Sequence, residues 1–117
     1  EVGFPGEAPD GLTITDLVVG DGAEAAAGNT VVVHYVGGAH SSGEEFDASY
    51  NRREPLSFRL GVGQVIKGWD DGVQGMKVGG RRQLVIPPHL GYGDRGAGGA
   101  IAPGETLIFV VDLLAVR

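Results

Sequence analysis

Only one stretch of this chain carries a helical period, and it is too short to stand alone. Within Gly61–Met76, Ile66, Trp69 and Val73 fall at i, i+3 and i+7 on one stripe, while Lys67, Asp70, Asp71 and Gln74 turn away from it. Gly61 and Gly63 precede the stripe and Gly75 closes it, so the helix has two or three turns, and it carries Gly68 and Gly72. Isolated helices shorter than ~12–15 residues are marginal in water. This one forms only if something packs on its apolar stripe, and the rest of the sequence reads as strands. One helix laid on one sheet, with the only Trp at the join, is the expected picture.

The 117 residues suffice for a core of their own. Leu, Ile, Val and Phe supply 33 of them, above the ~20% share below which chains tend to disorder. The 22 glycines follow no repeat and cluster in loops. A net charge of −6 argues against nucleic acid or an anionic membrane as partner, because attraction to phosphate needs a basic surface. No apolar run approaches the ~18 residues of a membrane span. With no cysteine there is neither disulfide nor thiol chemistry, and the compartment stays open. A cytoplasmic protein is expected, with a secreted one as the alternative. The start at Glu1 fits a cleaved leader, a processed Met or a trimmed chain equally well.

Residues 1–11 hold three glycines and two prolines with no apolar period, which predicts a flexible N-terminal arm ahead of a domain over 12–117. Leu12–Val19 reads as a strand, and Thr30–Val36, β-branched almost throughout, as a stronger one. Gly37-Gly38 and Ser41-Ser42-Gly43 bracket a hairpin loop. Glu44–Asp47 begins a strand that resumes at Leu56, Phe58 and Leu60 after an eight-residue excursion, a large bulge of the sort that re-aims side chains near sites. Arg81–Ile86 is a strand stopped by Pro87-Pro88. Residues 87–105 form a long glycine-rich loop, and connections of that length are usually functional. Thr106–Val116 is apolar on both faces apart from Asp112, as a central strand should be. The sum is an α+β fold: five antiparallel strands with one short helix.

Several chemistries fail on context. Gly91-Tyr92-Gly93-Asp94-Arg95-Gly96 matches G-x-G-x-x-G but follows Pro-Pro-His-Leu and opens no helix, against dinucleotide binding. His34, His40 and His89 have no metal-ligand spacing. Asp70-Asp71 and Glu44-Glu45 are adjacent pairs facing different directions, solvated surface rather than a shared-proton dyad. No G-x-S-x-G is present, and no serine has an evident His partner. No metal and no cofactor are expected. What remains is aromatic: Tyr35, Phe46, Tyr50, Phe58, Trp69, Tyr92 and Phe109. Spacing alone leaves open whether these rings are simply core or line a pocket.

Five segments in order close part of that gap: Val33-His34-Tyr35-Val36-Gly37, Gly43-Glu44-Glu45-Phe46-Asp47-Ala48-Ser49, Val65-Ile66-Lys67-Gly68-Trp69-Asp70, Gly91-Tyr92-Gly93 and Thr106–Leu114. Over about residues 12–117 the chain resembles the FKBP family of peptidyl-prolyl cis-trans isomerases, receptors of macrolide immunosuppressants. Gly96–Ile101 is similar to the loop of the short bacterial members. The resemblance implies a strongly twisted five-stranded antiparallel sheet, a half-barrel curled around one short helix. It implies a cleft floored by Trp69 and walled by Tyr35, Phe46, Leu56, Val65, Ile66, Tyr92, Ile101 and Phe109, with Asp47 and Arg52 at the rim and Phe58 as core beneath. Family members often carry an aromatic or a second Pro where Leu56 and Ala102 stand, and many a His at Ala97. These departures bear on substrate preference and macrolide affinity.

By the same resemblance, Ile66 N–H would anchor a substrate carbonyl and the Tyr92 hydroxyl would donate to a neighbouring one. Asp47 would orient Tyr35 and Arg52 and face the twisting carbonyl. The implied partners are proline-containing polypeptides and macrolide ligands, and the implied protein is a monomeric folding helper. A non-catalytic module of the same fold, or a small-ligand carrier, is the rival reading.

Overall fold

A computed structural model describes residues 11–97 and 101–117. The arm expected over 1–11 lies, apart from Gly11, outside the described residues, as do Gly98, Gly99 and Ala100 of the glycine loop. The strands are β1 (Thr13–Val18), β2 (Thr30–Ala39), β3 (Glu45–Ala48), β4 (Leu56–Arg59), β5 (Arg81–Ile86) and β6 (Leu107–Val116). All pairings are antiparallel, in the order β1-β5-β6-β2-β3, with β4 also on β2. The six segments are the expected five strands: β3 and β4 are halves of one interrupted strand, meeting β2 at Val36–Gly38 and Thr30–Val33. Between them a 3-10 turn, Ser49–Arg52, makes the excursion.

Alternation along β2, β5 and β6 turns Val31, Val33, Tyr35, Leu84, Ile86, Leu107, Phe109, Val111 and Leu113 to one face, where they form the main core with Trp69 and Val73. The reverse face carries a smaller cluster around Val85 and Ile108. The helix α1 spans only Lys67–Gly72, fewer than two turns, with Ile66 as N-cap and Val73 as C-cap. A helix this short survives because of its two glycines. A Cβ at Gly68 would lie 2.6 Å from Ile86 Cγ2, and one at Gly72 would lie 2.7 Å from Leu84 Cδ2, so the missing side chains let α1 press directly on β5.

Arg82 then ties the helix end down. Its Nη1 donates to the carbonyls of Gly72 (2.8 Å) and Gln74 (3.0 Å), while its Nε reaches the Asp16 carboxylate on β1 at 2.6 Å. A buried cation thus satisfies carbonyls that the helix terminus leaves open.

Two sequence expectations need correction. Gly37 and Gly38 do not bound the hairpin loop; β2 continues through them to Ala39. A Cβ at Gly37 would sit 2.5 Å from the Phe109 ring and 3.1 Å from that of Phe46, so this glycine makes room for rings rather than for a turn. Asp70 is not solvated surface. It is 8% exposed, and its carboxylate accepts the N–H groups of Gly61 (2.8 Å) and Gly63 (2.9 Å), because the turn before the helix folds back over it. Residues 87–105 hold a 3-10 turn, Pro88–Leu90, and a bridge in which Ala97 and Ile101 exchange N–H···O bonds of 2.9 and 3.1 Å.

Candidate active site

The open end of the core is a cleft of about 540 Å³ lined by Tyr35, Phe46, Asp47, Leu56, Gln64, Val65, Ile66, Trp69, Tyr92 and Phe109. Its floor is Trp69, which α1 and the core hold at 4% exposure. Rings stand around the indole. Tyr35 is perpendicular to it with centroids 5.0 Å apart, Phe109 perpendicular at 5.2 Å, and Phe58 tilted beneath at 5.6 Å. Phe46 meets Phe109 edge-on at 5.5 Å. Such edge-to-face packing holds the rings in fixed positions and leaves an apolar surface. The indole N–H is buried and has no hydrogen-bond acceptor among the described residues.

One rim is polar. The Tyr35 hydroxyl donates to Asp47 Oδ2 at 2.5 Å, and Arg52 Nη2 donates to that hydroxyl at 2.8 Å. Arg52 Nη1 closes the ring on Asp47 Oδ1 at 2.9 Å. β2, β3 and the Ser49–Arg52 turn each supply one member, so the excursion exists to return Arg52 to the sheet. Burial raises the Tyr35 phenol above its ordinary range; donation to Asp47 adds to this and Arg52 opposes it. The proton therefore stays on Tyr35, and Asp47 is the acceptor the rim offers.

The other rim is backbone and phenol. Asp70 fixes the Gly61–Gly63 turn, Gln64 Oε1 accepts Arg59 N–H at 2.8 Å, and the chain then presents Val65 and Ile66 to the cleft. Ile66 accepts the first helical bonds through its carbonyl, whereas its own N–H has no acceptor among the described residues. Tyr92 follows the Pro88–Leu90 turn on a segment held by Gly91 and Gly93 N–H bonds to the Pro88 carbonyl. Its ring is 41% exposed, and its hydroxyl has no partner among the described residues.

The structure thus brings together nine of the eleven expected binding residues in the lining, with Arg52 bonded at its rim. Ile101 is different: it is buried in the main core and is not among the described lining residues. Sequence reasoning missed Gln64, although its place beside Val65 in the same turn was the available signal. It also found no serine with a His partner, yet His34 Nδ1 lies 2.8 Å from Ser49 Oγ. That serine is fully buried and already accepts Tyr35 N–H, so it is no nucleophile.

The family described as "FKBP-type peptidyl-prolyl cis-trans isomerase" matches residues 22–114. An FK506-binding protein of Streptomyces anulatus is 71% identical over 118 residues, covering 99% of this chain and 95% of its own. One from Neisseria meningitidis serogroup B is 57% identical over 106 residues, covering 91% and 96%. The crystal structure of AtFKBP13 superposes with a TM-score of 0.85 at 46% identity, covering 94% of this chain and 96% of that one.

Proposed function

This chain belongs to the FKBP-type peptidyl-prolyl cis-trans isomerases, and from that premise we propose that it speeds rotation about X–Pro bonds by stabilising a twisted amide in the Trp69 cleft. The uncatalysed barrier is ~18–20 kcal/mol, because the planar amide is resonance-stabilised. Exchange at X–Pro then takes about tens to hundreds of seconds. Twisting removes the resonance and with it part of the negative charge on the carbonyl oxygen. Water favours the planar, more polar form; an apolar ring-lined surface favours the twisted one by comparison, which is differential binding of the transition state. A reduction of ~5 kcal/mol gives nearly four powers of ten in rate.

The observation that carries this reading is that two residues lining the aromatic cleft, Ile66 and Tyr92, carry a backbone N–H and a hydroxyl with no partner among the described residues. In the proposal each takes a substrate carbonyl, which holds the peptide in the turn that accompanies twisting. Asp47 faces the rotating carbonyl, and Tyr35 and Arg52 keep its carboxylate in place. Phe46, Leu56, Val65 and Phe109 flank the prolyl ring over Trp69. The step breaks no covalent bond, so the site needs no nucleophile.

The reading extends to a role in protein folding on proline-containing chains. It also extends to macrolides of the FK506 kind in the same cleft, a ligand the names of the Streptomyces and Neisseria relatives give to those proteins. Leu56, Ala97 and Ala102 set that affinity in the proposal. The test is exchange spectroscopy on an Xaa-Pro peptide beside refolding of a proline-limited protein, with Trp69 fluorescence reporting occupancy. Acceleration that a macrolide abolishes supports the proposal. Peptide binding without acceleration reduces the protein to a binding module.

A further inference from the structure

We propose that His34 is a positioning residue for the cleft rim, acting from the opposite face of the sheet through Ser49 and Tyr50. This rests on the isomerase reading of the rim formed by Tyr35, Asp47 and Arg52. Alternation along β2 turns Tyr35 to the cleft and His34 away from it. The Ser49–Arg52 turn crosses between the two sides. Its last residue reaches the rim, while its first two both meet His34. Ser49 Oγ lies 2.8 Å from Nδ1, and the Tyr50 ring stacks on the imidazole with centroids 4.5 Å apart and planes 17° from parallel.

Behind them is a charged brace. The Tyr50 hydroxyl donates to Asp112 Oδ2 at 2.7 Å, and Arg81 Nε donates to Asp112 Oδ1 at 2.7 Å. Asp112 is the cross-strand partner of His34 on β6. The groups facing the imidazole are therefore Ser49 and Tyr50 from the turn, Asp112 from β6 and, through Asp112, Arg81 from β5.

Ser49 Oγ is the joint. It accepts Tyr35 N–H at 2.8 Å, and among the described residues the only acceptor for its own proton besides the imidazole is the Tyr35 carbonyl at a long 3.4 Å. With a neutral ring carrying its proton on Nε2, the hydroxyl donates to Nδ1 while accepting Tyr35 N–H, so Ser49 Oγ has one good partner in each direction. With an imidazolium, Nδ1–H becomes a donor. Ser49 Oγ must then accept from both His34 and Tyr35, and its proton must turn to the distant carbonyl. The bond that pins the turn to the Tyr35 backbone weakens, and Arg52 at the far end of that turn loses its fixed place on Tyr35 and Asp47. A neutral His34 holds the rim; a protonated one loosens it.

The test follows kcat and KM of the intact protein and of His34→Gln across pH 5–8, where imidazoles titrate, by protease-free exchange spectroscopy on a prolyl peptide. The Tyr35 amide proton shift is recorded in the same samples. In the unsubstituted protein kcat falls about fivefold towards pH 5, the worth of one net hydrogen bond, while KM moves less. The Tyr35 amide titrates in step with the His34 ring. In His34→Gln, kcat shows no such step. Ser49→Ala breaks the link, so the Tyr35 amide no longer follows the ring. A Tyr35 amide indifferent to His34 titration, or the same step in kcat retained by His34→Gln, overturns the inference. Absence of isomerisation at every pH overturns the function reading instead, and the amide titration is read independently of it.

Discussion

Gly68 lies so close against Ile86 that a Cβ on it would come within 2.6 Å of the isoleucine side chain. The contact fixes the height of Trp69, the next residue, above the sheet. Alanine at 68 gains up to ~1 kcal/mol in helix propensity, while forcing a methyl into a filled interface costs about 1–3 kcal/mol. Gly68→Ala is thus expected to be net destabilising in urea titrations, with a shifted Trp69 emission. A variant more stable than the parent would show that α1 can lift from β5 at no cost.

Asp70→Asn tests the turn before the helix. Asparagine keeps one acceptor oxygen and puts an N–H where the second backbone donor now finds a carboxylate oxygen. An unsatisfied, largely buried group costs about 1–3 kcal/mol. The expected result is a loss of that size in denaturant, together with a raised KM for prolyl peptides as Val65 and Ile66 lose their fixed position. An unchanged KM would separate the turn from the cleft wall.

These two residues also mark how far the sequence is legible. The Ile66, Trp69 and Val73 stripe exposes the helix because its period is local. That Gly68 and Gly72 strengthen the element depends on Ile86 and Leu84, which arrive from β5. Asp70 sits on the polar side of the stripe by count, and only the fold-back of Gly61–Gly63 buries it. At the site, the segments around Tyr35, Asp47, Trp69 and Tyr92 stand out as motifs, so most of the lining was within reach. His34 and Ser49 meet across 15 positions because of how an irregular excursion closes on β2, and no periodicity encodes that closure.

Alkaline pH probes the polar rim. Burial, then donation to Asp47, holds the Tyr35 phenol above its ordinary range against the pull of Arg52; burial and Asp112 raise Tyr50 likewise. A folded-state pKa above the unfolded one means that the folded protein holds its proton longer. The associated stability is complete at neutral pH and is lost as pH rises beyond about 10. Stability should therefore decline with pH from about 10 upward, and less steeply in Tyr35→Phe. Equal slopes in the two proteins would mean that Tyr35 does not carry the effect.

Tyr92→Phe separates catalysis from folding most cleanly. The hydroxyl has no partner among the described residues and the ring is partly exposed, so removing one oxygen breaks no internal bond. Stability should stay within about 0.5 kcal/mol of the parent, as for a surface change away from packed features. If the hydroxyl donates to a substrate carbonyl, kcat/KM falls by about two- to tenfold, the worth of one neutral hydrogen bond. The division of that loss locates the bond on the reaction path. A drop in kcat at constant KM means that the bond forms in the twisted state, whereas a rise in KM alone means equal holding of planar and twisted peptide. Asp47→Ala is the companion measurement: it removes the acceptor of Tyr35 and Arg52 at the opposite rim. A retained fold with reduced turnover in both variants would put the peptide between the two rims, over Trp69. Full activity in Tyr92→Phe would leave the anchoring of the substrate carbonyl to Ile66 N–H and reduce Tyr92 to a ring at the cleft edge.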